Sequence, residues 1–166
     1  MNITRLGAPG CVGRTITKNF LDSTQYKITA SYRMEEEIPR DIQNDRLIWK
    51  QIDLLNPSSA ENVLQGSEIL IYLIHSLGAK NFEQLDVKLA NAAGKAARHV
   101  GIKKILYLGG IVHDSRNASP HLLSRMETGQ ALASYGIPIG EVRASILLAT
   151  CSTISLYIFS QNDFLS

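Results

Sequence analysis

Gly7-Ala8-Pro9-Gly10-Cys11-Val12-Gly13 follows directly on a short apolar segment, Ile3 to Leu6, and leads into Val12, Ile16, Phe20 and Leu21 at helical spacing. This pattern predicts a strand, a tight turn and a helix. Gly7 can take the positive φ that a sharp exit from a strand needs. Gly10 lacks the Cβ that would hold a pyrophosphate away from the backbone, and Gly13 lets the helix lie close against the strand. The first turn of such a helix turns its N–H groups and the positive end of its dipole toward an anion. A mononucleotide P-loop does not fit: five residues separate Gly7 from Gly13, and Arg14-Thr15 stand where that motif carries Lys and Ser/Thr. Taken alone, the spacing also suits an ordinary glycine-rich turn, so the rest of the chain decides.

The expected elements alternate. Strand-like segments run over Asn2 to Leu6, Tyr26 to Tyr32, Leu47 to Ile52, Ile69 to Ile74, Ile102 to Leu108 and Ile139 to Leu148. Helices are expected over Cys11 to Asp22, Pro57 to Gln65, Asn81 to Val100 and Ser119-Pro120 to Tyr135. Gly66, Gly101 and Gly136 stand where three of them stop. The unbroken run Ile69-Leu70-Ile71-Tyr72-Leu73-Ile74 suits a strand covered on both faces, as in a parallel sheet. In the longest helix Phe82, Leu85, Leu89, Ala92, Ala93, Ala96 and Val100 share one face, and its small residues permit close packing on the sheet. Strands alternating with helices predict an α/β fold: a doubly wound parallel sheet in three layers, the NAD(P)-binding Rossmann arrangement. Residues 1–150 form the cofactor domain on this reading, and 151–166 a C-terminal tail resembling the start of a further part.

Composition narrows the partners. The chain has 166 residues, 45% of them hydrophobic, enough for one sizeable core. Its net charge of +2 comes from 17 basic and 15 acidic residues that are interspersed, so no nucleic-acid or membrane surface is implied. The apolar runs fall short of the roughly 20 residues that cross a bilayer. Cys11 and Cys151 supply neither a disulfide framework nor a metal pair, and no basic-plus-apolar leader opens the chain. A cytoplasmic location is therefore expected. The four histidines, His75, His99, His113 and His121, show no ligand spacing, and no metal is expected.

Arg33 follows the second strand, where an acid would favour the 2′-hydroxyl of NAD and an arginine the 2′-phosphate of NADP. Ser31, Tyr32 and Arg33 include no acid, so NADP(H) is the expected cofactor, with NAD(H) second. The plainer alternative makes Arg33 a surface residue beside Glu35 or Glu36.

Six segments together carry a resemblance. They are Gly7 to Gly13, Asp53-Leu54, Tyr72-Leu73-Ile74-His75-Ser76-Leu77-Gly78, Tyr107-Leu108-Gly109-Gly110, Ser119-Pro120-His121-Leu122-Leu123-Ser124-Arg125 and Glu141-Val142-Arg143-Ala144-Ser145. In this order the chain resembles the atypical short-chain dehydrogenase/reductase proteins of the NmrA-like, nucleoside-diphosphate-sugar-epimerase-like type. The resemblance implies that Gly7, Ala8, Pro9, Gly10, Cys11, Val12 and Gly13 form the pyrophosphate turn and that Arg33 holds the 2′-phosphate. It also implies that Asp53 and Leu54 flank the adenine and that Leu73, Ile74 and His75 lie beside the cofactor.

The resemblance breaks at the catalytic centre. Carbonyl-reducing members use a tyrosine with a lysine four residues on, and none of the six tyrosines here has one. Gly109-Gly110 occupy the place of the orienting serine, and His121 and Arg125 stand at the matching helix. Histidine can replace tyrosine as general acid, and Arg125 can contact ribose or phosphate, so these two are the catalytic candidates. The competing reading of His121 is a surface residue at a helix start, and that of His75 a hydrogen-bonded structural group. Proteins of this type also continue into a smaller C-terminal part that completes the substrate pocket, which this sequence lacks. Two functions follow from the resemblance. One is an NADPH-dependent oxidoreductase or epimerase-like activity on an unidentified small molecule. The other is a non-catalytic NADP(H) redox sensor or assembly protein that acts on a protein partner.

Overall fold

The computed structural model describes residues 1–76, 78–112 and 115–144. Strands β1 (Asn2–Leu6), β2 (Lys27–Tyr32), β3 (Leu47–Gln51), β4 (Ile69–Tyr72), β5 (Lys104–Gly110) and β6 (Ile139–Ala144) form one sheet in the order β3-β2-β1-β4-β5-β6. Every neighbouring pair is parallel. Helices α1 (Cys11–Ser23), α2 (Pro57–Leu64), α3 (Phe82–Val100) and α4 (Pro120–Ala133) make the crossovers. This is the expected doubly wound Rossmann fold.

Strand alternation sorts the helices into two outer layers. Leu6, Leu70, Tyr72, Ile105 and Tyr107 pack with Ala60, Val63 and Leu64 of α2, Ala90, Ala93 and Ala97 of α3 and Leu132 of α4. On the opposite face Leu21 of α1, Ile28 of β2 and Ile42 form a smaller cluster with Phe20 and Leu47. Right-handed crossovers require this division, because the chain leaves β1 in one direction along the sheet and β4 in the other. The ends of those two adjacent strands therefore flank a crevice at the C-terminal edge.

Local signals set the helix ends. Asn56 caps α2, its side-chain oxygen accepting from the N–H groups of Ser58 and Ser59 at 3.1 and 3.3 Å, with Pro57 in the first turn. Such a cap is worth about 1 kcal/mol. Gly101 closes α3 in the left-handed conformation. Gly94 lets α3 meet the Tyr135 ring, and the Tyr135 hydroxyl donates to Asn91 Oδ1 at 3.2 Å.

The structure corrects three expectations. β4 ends at Tyr72, so Leu73 and Ile74 leave the ladder after the Leu73 N–H bonds the Leu6 carbonyl at 3.0 Å. β5 runs through Gly109 and Gly110, which pair with Arg143 and Ala144 of β6, so the glycines belong to the strand. The buried face of α3 is centred on Asp86, Ala90, Ala93 and Ala97, which leaves Leu85, Leu89 and Ala92 at its flanks. The expected continuation of strand 6 over 145–148, the tail 151–166, and Leu77 and His113 lie outside the described residues. Among the described residues, no helix is long and apolar enough to cross a membrane.

Candidate cofactor and catalytic site

The glycine turn lies at the end of β1 against β4. Gly7 has φ +81°, and a Cβ there would stand 3.0 Å from the Leu73 carbonyl carbon. Only glycine combines that conformation with that approach. Ala8 is buried and Pro9 half-buried, while Gly10 is exposed. Gly10 is the N-cap of α1 and carries no side-chain cap, and the nearest atom to a Cβ placed on it is the Gly7 carbonyl oxygen at 3.6 Å. The front of the turn is thus open, at the helix end that favours anions. Cys11 and Val12 begin the helix half-buried. Gly13 is buried, and a Cβ on it would collide with the Gly7 and Ala8 carbonyl oxygens. Its smallness thus lets α1 fold back onto the turn itself rather than onto the strand.

Behind the turn lies a residue that the sequence reading passed over. Arg5 of β1 is fully buried; Nη1 donates to the Gly13 carbonyl at 2.6 Å, while Nε and Nη2 have no partner. Burial pulls its pKa down to about 10, so it stays cationic at neutral pH. A charged residue beside Thr4 inside a short strand was the only signal available.

Arg33 extends from the end of β2 with its side chain 79% exposed. Its acidic neighbour is Glu37 rather than Glu35 or Glu36. The short 3-10 turn Glu35–Glu37 brings Glu37 Oε2 to the Arg33 N–H at 2.9 Å and Oε1 to Nη2 at 3.7 Å. Asp53 is exposed after β3, and its Oδ1 accepts the Leu55 N–H at 2.9 Å. Leu54 turns inward and is 5% exposed, so its side chain belongs to the core. Leu73, Ile74 and His75 follow β4 half-buried. The expected cofactor residues are thus gathered along one edge of the sheet. Their fit to a dinucleotide rests on the open front of Gly10 and the exposed Arg33 guanidinium at the end of β2.

A second cluster lies where β4 passes toward α3. Asp86 Oδ2 stands 2.5 Å from His75 Nδ1, and His75 Nε2 stands 2.8 Å from His121 Nδ1. The Ser76 N–H donates to Asp86 Oδ1 at 2.8 Å, and the Ser124 hydroxyl to Oδ2 at 3.2 Å. The two imidazole centroids are 4.6 Å apart, and Phe82 meets His75 edge-on. His121 is therefore no isolated helix-start residue. Asp86 and Ser124 escaped the sequence reading because their partners are remote in the chain and neither forms a local motif.

Arg125 lies one helical turn beyond His121, its guanidinium carbon 5.8 Å from the Tyr107 ring centroid and its buried Nη1 without a partner. The Tyr107 hydroxyl donates to the Arg125 carbonyl at 2.8 Å. Burial holds His75 and His121 below the ordinary histidine range; for His75 the hydrogen bond to Asp86 opposes this, and for His121 the Arg125 charge adds to it. Burial pushes Tyr107 up to about 12 and Tyr72 higher still. Neither phenol has the lowered pKa that a tyrosine acid would need. A groove of about 560 Å³ between α3 and α4 shares only Ser124 with this cluster. Among the described residues, no group of three or more His, Cys, Asp or Glu side chains is placed to hold a metal ion.

A family described as NAD(P)H-binding matches residues 7–147. Among solved structures the chain is similar to a nucleoside-diphosphate-sugar epimerase from Staphylococcus aureus, at 22% identity and a TM-score of 0.74, covering 86% of this chain and 50% of that one. It is similar to the triphenylmethane reductase of Citrobacter sp. complexed with NADP(H), at 21% identity and a TM-score of 0.75, covering 89% and 50%. A third is an NADPH-dependent quinone oxidoreductase from Escherichia coli, at 19% identity and a TM-score of 0.66, covering 87% and 47%. These are likenesses of fold. The chain spans half the length of the first two, 50% of each. No curated protein sequence matches it.

Proposed function

The chain belongs to the NAD(P)H-binding family, and from that premise we propose that it binds NADP(H) in preference to NAD(H) and serves an oxidoreductase reaction on a small carbonyl or hydroxyl compound. The observation that carries this reading is the Gly7 turn: it is held at positive φ against Leu73 and leaves Gly10 open at the start of α1, with Arg33 exposed at the end of β2. Gly7 to Gly13 would hold the pyrophosphate and Arg33 the 2′-phosphate. Asp53 and the Leu54 backbone would border the adenine, and Leu73, Ile74 and His75 would border the rest of the cofactor. When bound, the dinucleotide supplies or takes a hydride. His121 gives or takes the matching proton, and Arg125 steadies the oxygen on which charge develops. We place this activity in the cytoplasm, on the cysteine usage of the chain.

A second reading is a redox sensor or assembly protein that binds the same cofactor without turnover. The missing Tyr-x-x-x-Lys pair favours it. The substrate would then be replaced by a protein partner.

Calorimetric titration of the folded chain with NADPH and NADH tests the common premise. Saturable binding with NADPH clearly tighter is expected. Failure of a folded chain to bind either would overturn both readings, and equal affinities would overturn the role of Arg33.

A further inference from the structure

Asp86 is 1% exposed, on a helix face otherwise made of alanines and Gly94. A carboxylate in such a place is costly unless its oxygens are met by donors. The Ser76 N–H and the Ser124 hydroxyl supply one donor to each oxygen, and the remaining close contact is His75 Nδ1. An ionised carboxylate can only accept, so His75 Nδ1 carries the hydrogen. Neutral His75 then has its lone pair on Nε2, facing His121 Nδ1 at 2.8 Å. His121 must donate there, which leaves its own lone pair on Nε2.

We propose that Asp86 is a positioning residue that acts through His75 to hold His121 in the Nδ1–H tautomer, so that Nε2 of His121 is the atom that exchanges a proton with a substrate oxygen. The proposal rests on the reading of His121 as proton donor and acceptor in an oxidoreductase. In the reducing direction a bound reduced dinucleotide would supply the hydride to the substrate carbon and be oxidised, and the chain's own part is the proton. Before this step His121 takes a proton from solvent on Nε2 and becomes the imidazolium; the carbonyl oxygen then takes that proton as the Nε2–H bond breaks and an O–H bond forms, and His121 is left neutral with its Nδ1–H still on His75. In the oxidising direction the same nitrogen removes the hydroxyl proton. The chain Asp86–His75–His121 thus fixes the tautomer of the reacting group before substrate arrives. Arg125, with Nη1 buried and unpartnered, is the cation whose charge bears on His121. Of the described charged groups, those that bear on the two rings are Asp86 from α3 and Arg125 from α4, with His121 also bearing on His75.

Long-range ¹H–¹⁵N spectra of the ¹⁵N-labelled full chain, without cofactor, read the tautomers directly. At neutral pH both His75 and His121 are expected to be protonated on Nδ1, and acid is expected to move the Nε2 resonance of His121 as that atom takes the added proton. In Asp86→Asn the amide keeps its oxygen on the Ser76 N–H and turns its NH₂ toward His75, so both tautomers should invert. Wild-type His75 protonated on Nε2 would overturn the proposal, as would an Asp86→Asn protein that folds and keeps the wild-type tautomers. If that variant does not fold, the wild-type spectrum decides alone. NADPH titration of the same samples separates the two readings: a chain that shows the expected tautomers and binds no NADPH sinks the cofactor reading and leaves the Asp86 control of His121 standing.

Discussion

Arg5 and Gly13 are joined by a hydrogen bond of 2.6 Å that crosses from the interior of β1 to the first turn of α1, with the guanidinium fully buried beneath the turn. The same Gly13 carbonyl accepts the Thr17 hydroxyl at 2.7 Å, so it would stay satisfied without Arg5. The cation therefore gives up its hydration for one strong bond, while Nε and Nη2 remain unmet. Arg5→Met keeps most of the volume and removes the buried charge, and it is expected to raise stability by about 1 kcal/mol or more. It should also lower NADPH affinity, because a positive charge behind the anion site is lost. Urea unfolding and calorimetry check the two halves; a Met variant less stable than wild type would show that the guanidinium is needed for folding.

Gly10 and Gly7 of the turn should separate into binding and folding roles. Gly10→Ala meets no atom closer than 3.6 Å, so stability should be unchanged while NADPH affinity falls. A loss of about 1.4 kcal/mol corresponds to tenfold weaker binding. Gly7→Ala forces a side chain to φ +81° and should cost about 1–2 kcal/mol of stability before any ligand is added. Equal effects of the two on unfolding would contradict this division.

Arg33 is exposed enough to be changed without cost to the fold. Arg33→Ser is expected to weaken NADPH about tenfold and leave NADH unaffected, since a charge-assisted phosphate contact is worth roughly 1.5 kcal/mol or more. Raising the salt concentration should narrow the wild-type preference for NADPH. An identical loss for both cofactors would mean that the residue acts on something other than the 2′-phosphate.

His75 and His121 both titrate below the unfolded histidine value, chiefly through burial. As pH falls below about 6.5 the unfolded chain takes up protons first, so the stability from keeping these rings neutral is complete above that value and is lost on acidification. The urea midpoint should be lower at pH 5.5 than at 7.5. The difference should shrink in His121→Gln, and a midpoint independent of pH across that window would refute the assignment.

The legible parts of this protein were those with local signatures. Gly7 to Gly13 announced a turn because only glycine suits its φ and its contacts, and Ile69 to Tyr72 announced a central strand because both its faces are covered. Asn56 and Ser119 mark helix starts with side chains that bond within the next turn. The polar cluster had no such signature. His75 and His121 are 46 residues apart, and Asp86 lies between leucines that drew the expected helix face one position away from its true centre. Arg5 stands between Thr4 and Leu6, and no local pattern marks it as buried. Its placement depends on α1 folding over the strand, which periodicity does not report.

The two glycines that end β5 also bear on any attempt to convert this protein into a conventional reductase. A side chain added at Gly109 would run into the Glu141 carboxylate, which is itself paired with Arg143 at 3.0 Å, and one at Gly110 would press on Leu122. The room an orienting serine would take is therefore already let to other tenants. Grafting the missing serine, tyrosine and lysine onto this scaffold would require turning the Glu141 and Leu122 side chains aside. The geometry points engineering toward the histidine pair that is already in place.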